Sequence, residues 1–349
     1  MDKQVIFAVA GSGKTETIIR DIDLDSRCLI ITYTIPNSVN IKERIIKKLK
    51  TIPKGVKVYT FFGFLYSFCY KPIIKPDIYI KGVFWTESAR NFTKGKNKND
   101  HAYYIDKYSN VFSSRFSMLM VELKYIEEIT DRIEKYFDHL LIDEVQDIAA
   151  NDFNFICEIS KNIKIKQSFV GDFYQHTFDS SKDGMTNKNL HANYEKYKLR
   201  FKKLGLNIDT KSLFASWRCS PSICSFITEK LKIEMKSHRQ DVTNVIYIDD
   251  LDKVEEIYTN NSIVKLFYRE CYKYKGNTEN WGKSKGLDCY IDVCVVLNDT
   301  TLKHFLSDSL HELTPDTKNK LYVACTRAKR HLYFVSQKNI NKINKSAIK

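Results

Sequence analysis

The sequence predicts an α/β protein of two tandem domains, each a mostly parallel sheet flanked by helices. Three observations predict it. The chain has 349 residues, and at about 150 residues per domain that length suggests two. Hydrophobic residues make up 43% and charged residues 28%, which excludes wholesale disorder. Short apolar runs recur along the chain with helical stretches between them, the strand, crossover, strand pattern of parallel sheets.

Gln4 to Val9 reads as a short buried strand, broken by Gly11 and Gly13 before a helical segment from Lys14 to Ile19. Cys28 to Thr32 is a second strand, followed by a charged helical stretch through Arg44 to Lys50. Val56 to Tyr70 is aromatic and mostly uncharged. From Lys71 the chain changes character, with Lys81, Arg90, Lys94, Lys96, Lys98 and Lys107 among few apolar positions. This reads as a small helical insertion spanning about 71–135. Within it Leu119, Leu123, Ile126 and Ile133 fall on one face of a single helix that runs into a strand at Leu140 to Ile142. A further strand is expected at Ser168 to Val170, then a loop and an exposed basic helix over 180–203. The domain boundary falls near Gly205, giving domains 1–205 and 206–336. The second has strands at Ile263 to Phe267, Ile291 to Leu297 and Leu332 to Val335. Residues 337–349 read as a flexible, frayed tail. No internal repeat of 20–50 residues is present.

Lys plus Arg number 56 against 42 Asp plus Glu, a net +14 that favours polyanionic partners. The nine cysteines form no CxxC pair and have no histidine at zinc-finger spacing, so reduced, buried thiols are expected. No leader-like start and no apolar run near the roughly 18–20 residues of a membrane span is present, which leads to a cytoplasmic expectation.

The run AVAGSGKT, residues 8–15, sits between a strand and a helix. Backbone N–H groups of Ala10, Gly11, Ser12 and Gly13 can cradle phosphates there, Lys14 can neutralise the outer ones, and Thr15 can ligate Mg²⁺. Ala8 stands where the strict pattern has its first glycine, and the plain alternative is a tight glycine turn. After the strand at Leu140 comes DEVQD, where Asp143 can hold the metal and Glu144 can orient and deprotonate an attacking water. The plain alternative is an acidic helix N-terminus.

Taken with GDFYQ at 171–175, SWRCS at 216–220, SKGLD at 284–288 and YVACTRAKR at 322–330, these motifs resemble the UvrD/Rep group of superfamily 1 helicases. Six motifs in the family's order cover nearly the whole chain. The resemblance implies two RecA-like domains of the P-loop NTPase class with ATP and Mg²⁺ in the cleft between them. It implies that Gln175 senses the γ-phosphate, that Arg218 and Arg327 are arginine fingers, and that Asp288 contacts the ribose from a loop shared with Lys285 and Gly286. TYT at 32–34 and TFFGF at 60–64 are similar to the family's strand-contact motifs, which implies that Tyr33, Thr34, Thr60 and Phe62, with Phe178 after GDFYQ, bind nucleic acid by base stacking and backbone contact.

The implied activity is ATP-driven translocation on single-stranded DNA, or unwinding of a tailed duplex, with 3′ to 5′ polarity. The chain also resembles the compact helicase-like subunits of anti-phage systems, Gabija among them. The alternative is therefore a nucleotide-sensing regulatory ATPase subunit of a nuclease or antiviral defence complex. A degenerate, inactive fold is a third possibility, opposed by the intact Lys14, Asp143, Glu144, Gln175, Arg218 and Arg327. Two departures stand out. Gln4 is too close to Ala8 to be assigned the family's adenine-reading role, and the 66 residues between Arg218 and Lys285 are too few for the family's large accessory domain.

Overall fold

The computed structural model describes residues 2–85, 89–177 and 183–346. The chain divides into two compact units: one of residues 1–7, 14–171 and 178–209, the other of residues 8–13, 172–177 and 210–349.

The first unit is built on a six-stranded, wholly parallel sheet of β1 (Lys3–Phe7), β2 (Cys28–Thr32), β3 (Lys57–Thr60), β6 (His139–Ile142), β7 (Lys166–Gly171) and β8 (Asn207–Asp209), in the order β3-β2-β6-β7-β1-β8. Every residue of β2 is buried, as a central strand covered on both faces requires. Ile31 pairs with Ile142, Ile142 with Phe169, and Phe7 with Gly171, so the carboxyl ends of β1, β6 and β7 lie side by side. Residues that leave those three ends are the ones an open α/β sheet offers to a ligand.

Helix α1 (Lys14–Ile19) is followed by α2 (Ile35–Leu49), where Pro36 lies in the first turn, the Thr34 hydroxyl accepts from the Asn37 N–H, and Lys50 closes the far end at φ 63°. The aromatic stretch after β3 forms a short turn of helix, α3 (Phe61–Gly63), and then a more widely wound helical segment, Phe64–Ile74, with Pro72 inside it.

Three expectations need correction here. The insertion is not helical over 75–115. Its regular elements are a two-stranded parallel ribbon of β4 (Gly82–Phe84) and β5 (Asn110–Phe112), with short turns between. Asp100 and Asp106 hold those turns: the Asp106 carboxylate accepts from the backbone of Tyr108 and Asn110, a bond pattern that competes with helix. The single helix expected over Leu119 to Ile133 is two, α4 (Phe116–Glu122) and α5 (Ile126–Tyr136), because the chain turns through a left-handed Lys124 at φ 64°. Leu119 and Ile133 are both fully buried, but on different helices. The basic helix is α7 (Tyr194–Lys202), which follows α6 (Ala150–Asn162) and is exposed on its outer face only. Tyr197 and Phe201 are fully buried and pack around Phe7 and Phe153.

The second unit carries a short pair, β9 (Ala215–Ser216) with β10 (Lys236–Ser237). Its main sheet has five parallel strands: β11 (Val245–Ile248), β12 (Ile263–Phe267), β13 (Thr278–Asn280), β14 (Asp292–Leu297) and β15 (Leu332–Ser336), in the order β11-β15-β14-β12-β13. Alternate residues of β14 serve opposite layers. Val293, Val295 and Leu297 pack with α8 (Pro221–Leu231) and α11 (Pro315–Cys325), while Cys294 and Val296 pack with α9 (Leu251–Thr259) and α12 (Gln337–Ser346). Between these lies α10 (Asp299–Leu306). The parallel α/β architecture in both halves is the one expected.

The frayed tail is also overturned over residues 337–346, while 347–349 lie outside the described residues. Residues 337–346 form α12, in which Ile340 and Ile343, one helical turn apart, are buried against Val254, Ile257 and Tyr258 of α9. The Asn339 amide bonds Asp249, and Asn344 accepts from the Tyr258 hydroxyl. Among the described residues no helix is long and apolar enough to cross a membrane, and seven of the nine cysteines, all of them free, are buried.

Candidate active site

Lys14 opens α1 and Asp143 leaves the carboxyl end of β6. Lys14 is buried, with its Nζ 3.9 Å from Glu144 Oε1. Asp143 is 1% exposed and its Oδ1 accepts the Glu144 N–H at 3.0 Å. Burial, and then the neighbouring Glu144 carboxylate, push the Asp143 carboxyl up to about 7 against the pull of Lys14. Glu144 itself sits in the left-handed region at φ 53° and ψ 47°, a conformation that costs an L-residue about 1–2 kcal/mol. Its Oε2 accepts from the Gln146 amide. Gln146 is fully buried over Gly171, where a Cβ would come within 2.8 Å of Val145 Cγ1, so the close approach of β7 to this turn requires glycine.

Two carboxyls and one lysine thus lie together, Asp143 and Lys14 buried and Glu144 half-buried. That donor set fits a hard divalent cation held in part by a ligand's own oxygens. Thr15, partly exposed beside Lys14, supplies a hydroxyl of the right kind. Among the described residues no cluster of three or more His, Cys, Asp or Glu side chains could cage a metal alone.

The glycine loop, residues 8–13, belongs to the second unit. Gly11 and Gly13 take φ 72° and 92°, which favour glycine. A Cβ on Gly11 would lie 2.6 Å from Arg218 Cβ, whereas one on Gly13 would meet nothing within 4 Å. The Gly11 carbonyl accepts the Trp217 N–H at 2.8 Å. Ala10 departs from expectation: it is fully buried and its N–H is donated to the Tyr322 hydroxyl at 2.9 Å, so that amide is not open to a phosphate. Tyr322 in turn donates to Asp172 Oδ2 at 2.9 Å. The Ser12 hydroxyl bonds back to the Val9 carbonyl at 2.8 Å. Gln175 is buried on the turn that follows Asp172.

Arg218 pairs with Asp288 through Nε at 2.8 Å, and Lys329 stands 3.7 Å from the same carboxylate. Asp288, expected against a ribose, is here the counter-ion of Arg218. Arg327 is 2% exposed and donates to the Val323 carbonyl at 3.2 Å and the Leu287 carbonyl at 3.1 Å. Burial, and then the nearby Arg218, lower its guanidinium to about 10. Gly286, at φ 81°, has open space where a Cβ would point, and the loop continues from there into Asp288.

In the first unit, Tyr33 and Phe62 follow the adjacent strands β2 and β3. Tyr33 lies 6.3 Å from Phe61, while Phe62 contacts Tyr66, Trp85 and Phe116 at 6.2, 4.7 and 5.7 Å. The Thr34 and Thr60 hydroxyls are engaged as helix caps, accepting from Asn37 and Gly63. Phe178 lies outside the described residues. The motif reading missed Tyr322, Trp85 and Trp217. Trp217 is 65% exposed and stacked on His238 at 4.0 Å. No sequence signal separates the exposed Trp85 and Trp217 from the fully buried Trp281.

Comparison with protein-family models finds none that matches, and comparison with curated proteins likewise finds none. Solved structures do match. One is the arterivirus nonstructural protein 10, a helicase, in complex with DNA, at 11% identity and TM-score 0.51, covering 96% of this chain and 61% of that one. Another structure of arterivirus nonstructural protein 10 matches at 14% identity and TM-score 0.49, covering 95% of this chain and 59% of that one. The PRRSV helicase matches at 12% identity and TM-score 0.47, covering 95% of this chain and 52% of that one. The first of these likenesses shows the fold. This chain spans about 61% of the length of that helicase.

Proposed function

We propose that this chain is a nucleic-acid-dependent nucleoside triphosphatase of the UvrD/Rep type, coupling ATP hydrolysis to 3′ to 5′ movement along single-stranded DNA. The observation that carries the reading is the trio of buried Lys14, buried Asp143 and half-buried Glu144, two carboxyls and one lysine at the carboxyl end of the sheet. Lys14 leaves Glu144 to neutralise the outer phosphates of a bound nucleotide. A magnesium ion arriving with that nucleotide would polarise the phosphates, and Thr15 and Asp143 are the residues to hold it. Glu144, with its carboxylate oriented by Gln146, takes the proton of the attacking water. The amides of Gly11, Ser12 and Gly13 and the side chain of Gln175 hold the phosphates, while Arg218 and Arg327 stabilise the charge that develops on the transferred group. Loss of the Asp288 pair frees Arg218 for that role, with Asp288 turning to the ribose; Lys285 and Gly286 shape the same loop. Trp217, exposed and bonded through its N–H to Gly11, supplies a flat face for the base. Tyr33 and Phe62 stack on the DNA bases, with Thr34, Thr60 and Phe178 beside them in the same motifs.

The test is ATP hydrolysis with and without single-stranded DNA at low salt. Stimulation by DNA, lost in Lys14→Ala, is the expected result. Nucleotide binding without stimulation would instead favour the regulatory subunit of a nuclease or defence complex, and absence of nucleotide binding would refute both.

A further inference from the structure

The aromatic face of the first unit continues past the motif residues into the insertion. β4 ends at Phe84, whose ring packs with Phe92 and Phe112 at 5.2 and 5.8 Å in a small core of the insertion's own. Successive side chains of an extended strand point to opposite sides, so Trp85, the next residue, faces away from that core. Its ring lies 4.7 Å from Phe62. Phe62 and Tyr66 are nearly parallel, at 10°, and the fully buried Phe116 backs Phe62. The Trp85 indole is 61% exposed.

Three features define what such a face can hold. Its rings offer flat surfaces to a partner with flat surfaces of its own. Its surroundings are basic: residues 71–115 carry nine Lys or Arg against four Asp or Glu, and Lys71 Nζ stands 5.1 Å over the Tyr66 ring. The insertion is also anchored. Buried Arg115 bonds Asp183 at 2.6 Å, the Thr93 hydroxyl at 2.7 Å and the Tyr103 carbonyl at 2.7 Å, which ties the turns of the insertion together. A partner that is polyanionic and presents unstacked planar groups is single-stranded nucleic acid. A duplex hides its base faces, and an acidic protein would need the lysines but not the rings.

We propose that Trp85 is a base-stacking residue that extends the single-strand path from Phe62 onto the insertion. This rests on the strand-binding reading above and adds to it a contact outside every motif of the family resemblance. The experiment uses the full chain and a labelled oligo(dT), with affinity read by anisotropy and contact read by quenching of tryptophan fluorescence. Trp85→Ala should weaken binding by between about five-fold and a hundred-fold, the range for loss of one stacked base. Trp85→Phe should bind within about three-fold of the parent while losing the part of the quenching that Trp85 supplies. If Trp85→Ala fails to fold, by melting temperature, the quenching result for Trp85→Phe decides. Parental affinity in Trp85→Ala, or full quenching in Trp85→Phe, overturns the assignment and leaves strand binding intact. Failure of the parent chain to bind oligo(dT) at low salt removes the strand-binding reading itself, and Trp85 with it.

Discussion

Replacing Asp143 by asparagine should make the nucleotide-free protein more stable at neutral and alkaline pH. Asp143 is 1% exposed and its carboxyl titrates at about 7 rather than 3.8, mainly through burial. Between those two values the folded chain holds a proton that the unfolded chain has released. Stability therefore falls as pH rises from about 4 to about 7, and the penalty is complete above 7. A carboxyl displaced that far costs at most roughly 4 kcal/mol. Asparagine keeps the oxygen that accepts the Glu144 N–H at 3.0 Å and carries no charge at any of these pH values. Half-buried His139, pulled down to about 4 mainly by desolvation, gives the opposite slope below pH 6.5, but it is common to both proteins and cancels in their difference. At about 2–4 °C per kcal/mol for a unit of this size, Asp143→Asn should melt several degrees higher at pH 8, with the gap closing toward pH 4. The assay is a melting series from pH 4 to 8 without nucleotide or magnesium. A variant that melts lower than the parent at pH 8, or a gap that does not change with pH, would refute the electrostatic account of the site.

Glu144→Gln should bind ATP but hydrolyse it about 10²–10⁴-fold more slowly, since the amide takes no proton from water; parental turnover would move the base elsewhere. Ile340→Ala should cost about 2–5 kcal/mol, and a chain ended after Ser336 should melt lower still, because α12 covers Val254 and Ile257; an unchanged melting temperature would show that the helix contributes nothing. Tyr322→Phe strands the Ala10 N–H and one bond to Asp172, so melting should fall by the equivalent of about 1–3 kcal/mol and the KM for ATP should rise; no change in either would mean the phenol is dispensable.

The strands and the motif loops were legible because both are local. Cys28–Thr32 is apolar up to its last residue and Ile263–Phe267 is interrupted only by Lys265, the near-continuous pattern of strands buried on both faces. What failed was non-local. Nothing in Leu119 to Ile133 marks the turn at Lys124, an ordinary lysine in a left-handed conformation that its neighbours impose. Lys196, Lys198, Arg200 and Lys202 made α7 look solvated, yet Tyr197 and Phe201 alone bury its inner face. α12 has only two isoleucines among polar residues, and they suffice to dock it because α9 supplies the matching surface. At the site, the motifs named Lys14, Asp143 and Glu144, but no pattern announces that Tyr322, 312 residues from Ala10, takes the Ala10 amide.

The residues at the carboxyl end of the first sheet each break a rule that the rest of the unit keeps. Asp143 is a buried carboxyl whose ionisation burial opposes, and its immediate neighbour is another carboxylate. Glu144 holds a backbone conformation that a glycine would adopt at no cost, while β7 ends at a glycine only because Gln146 and Val145 leave no room for a Cβ. A stability-driven sequence would neutralise Asp143, place glycine at 144 and fill the space with apolar side chains. Each of those changes removes a charge or an orientation that has no use in the isolated protein. Lys14 offsets part of the acidic excess, and the remainder is what a divalent cation and its polyphosphate would satisfy together, since the ion answers the carboxyls and the phosphates answer the lysine. A carboxyl pushed up to about 7 by burial and a neighbouring carboxylate is one that a cation would draw into its charged form, which is the reason to propose a nucleotide at this turn rather than an acidic helix end.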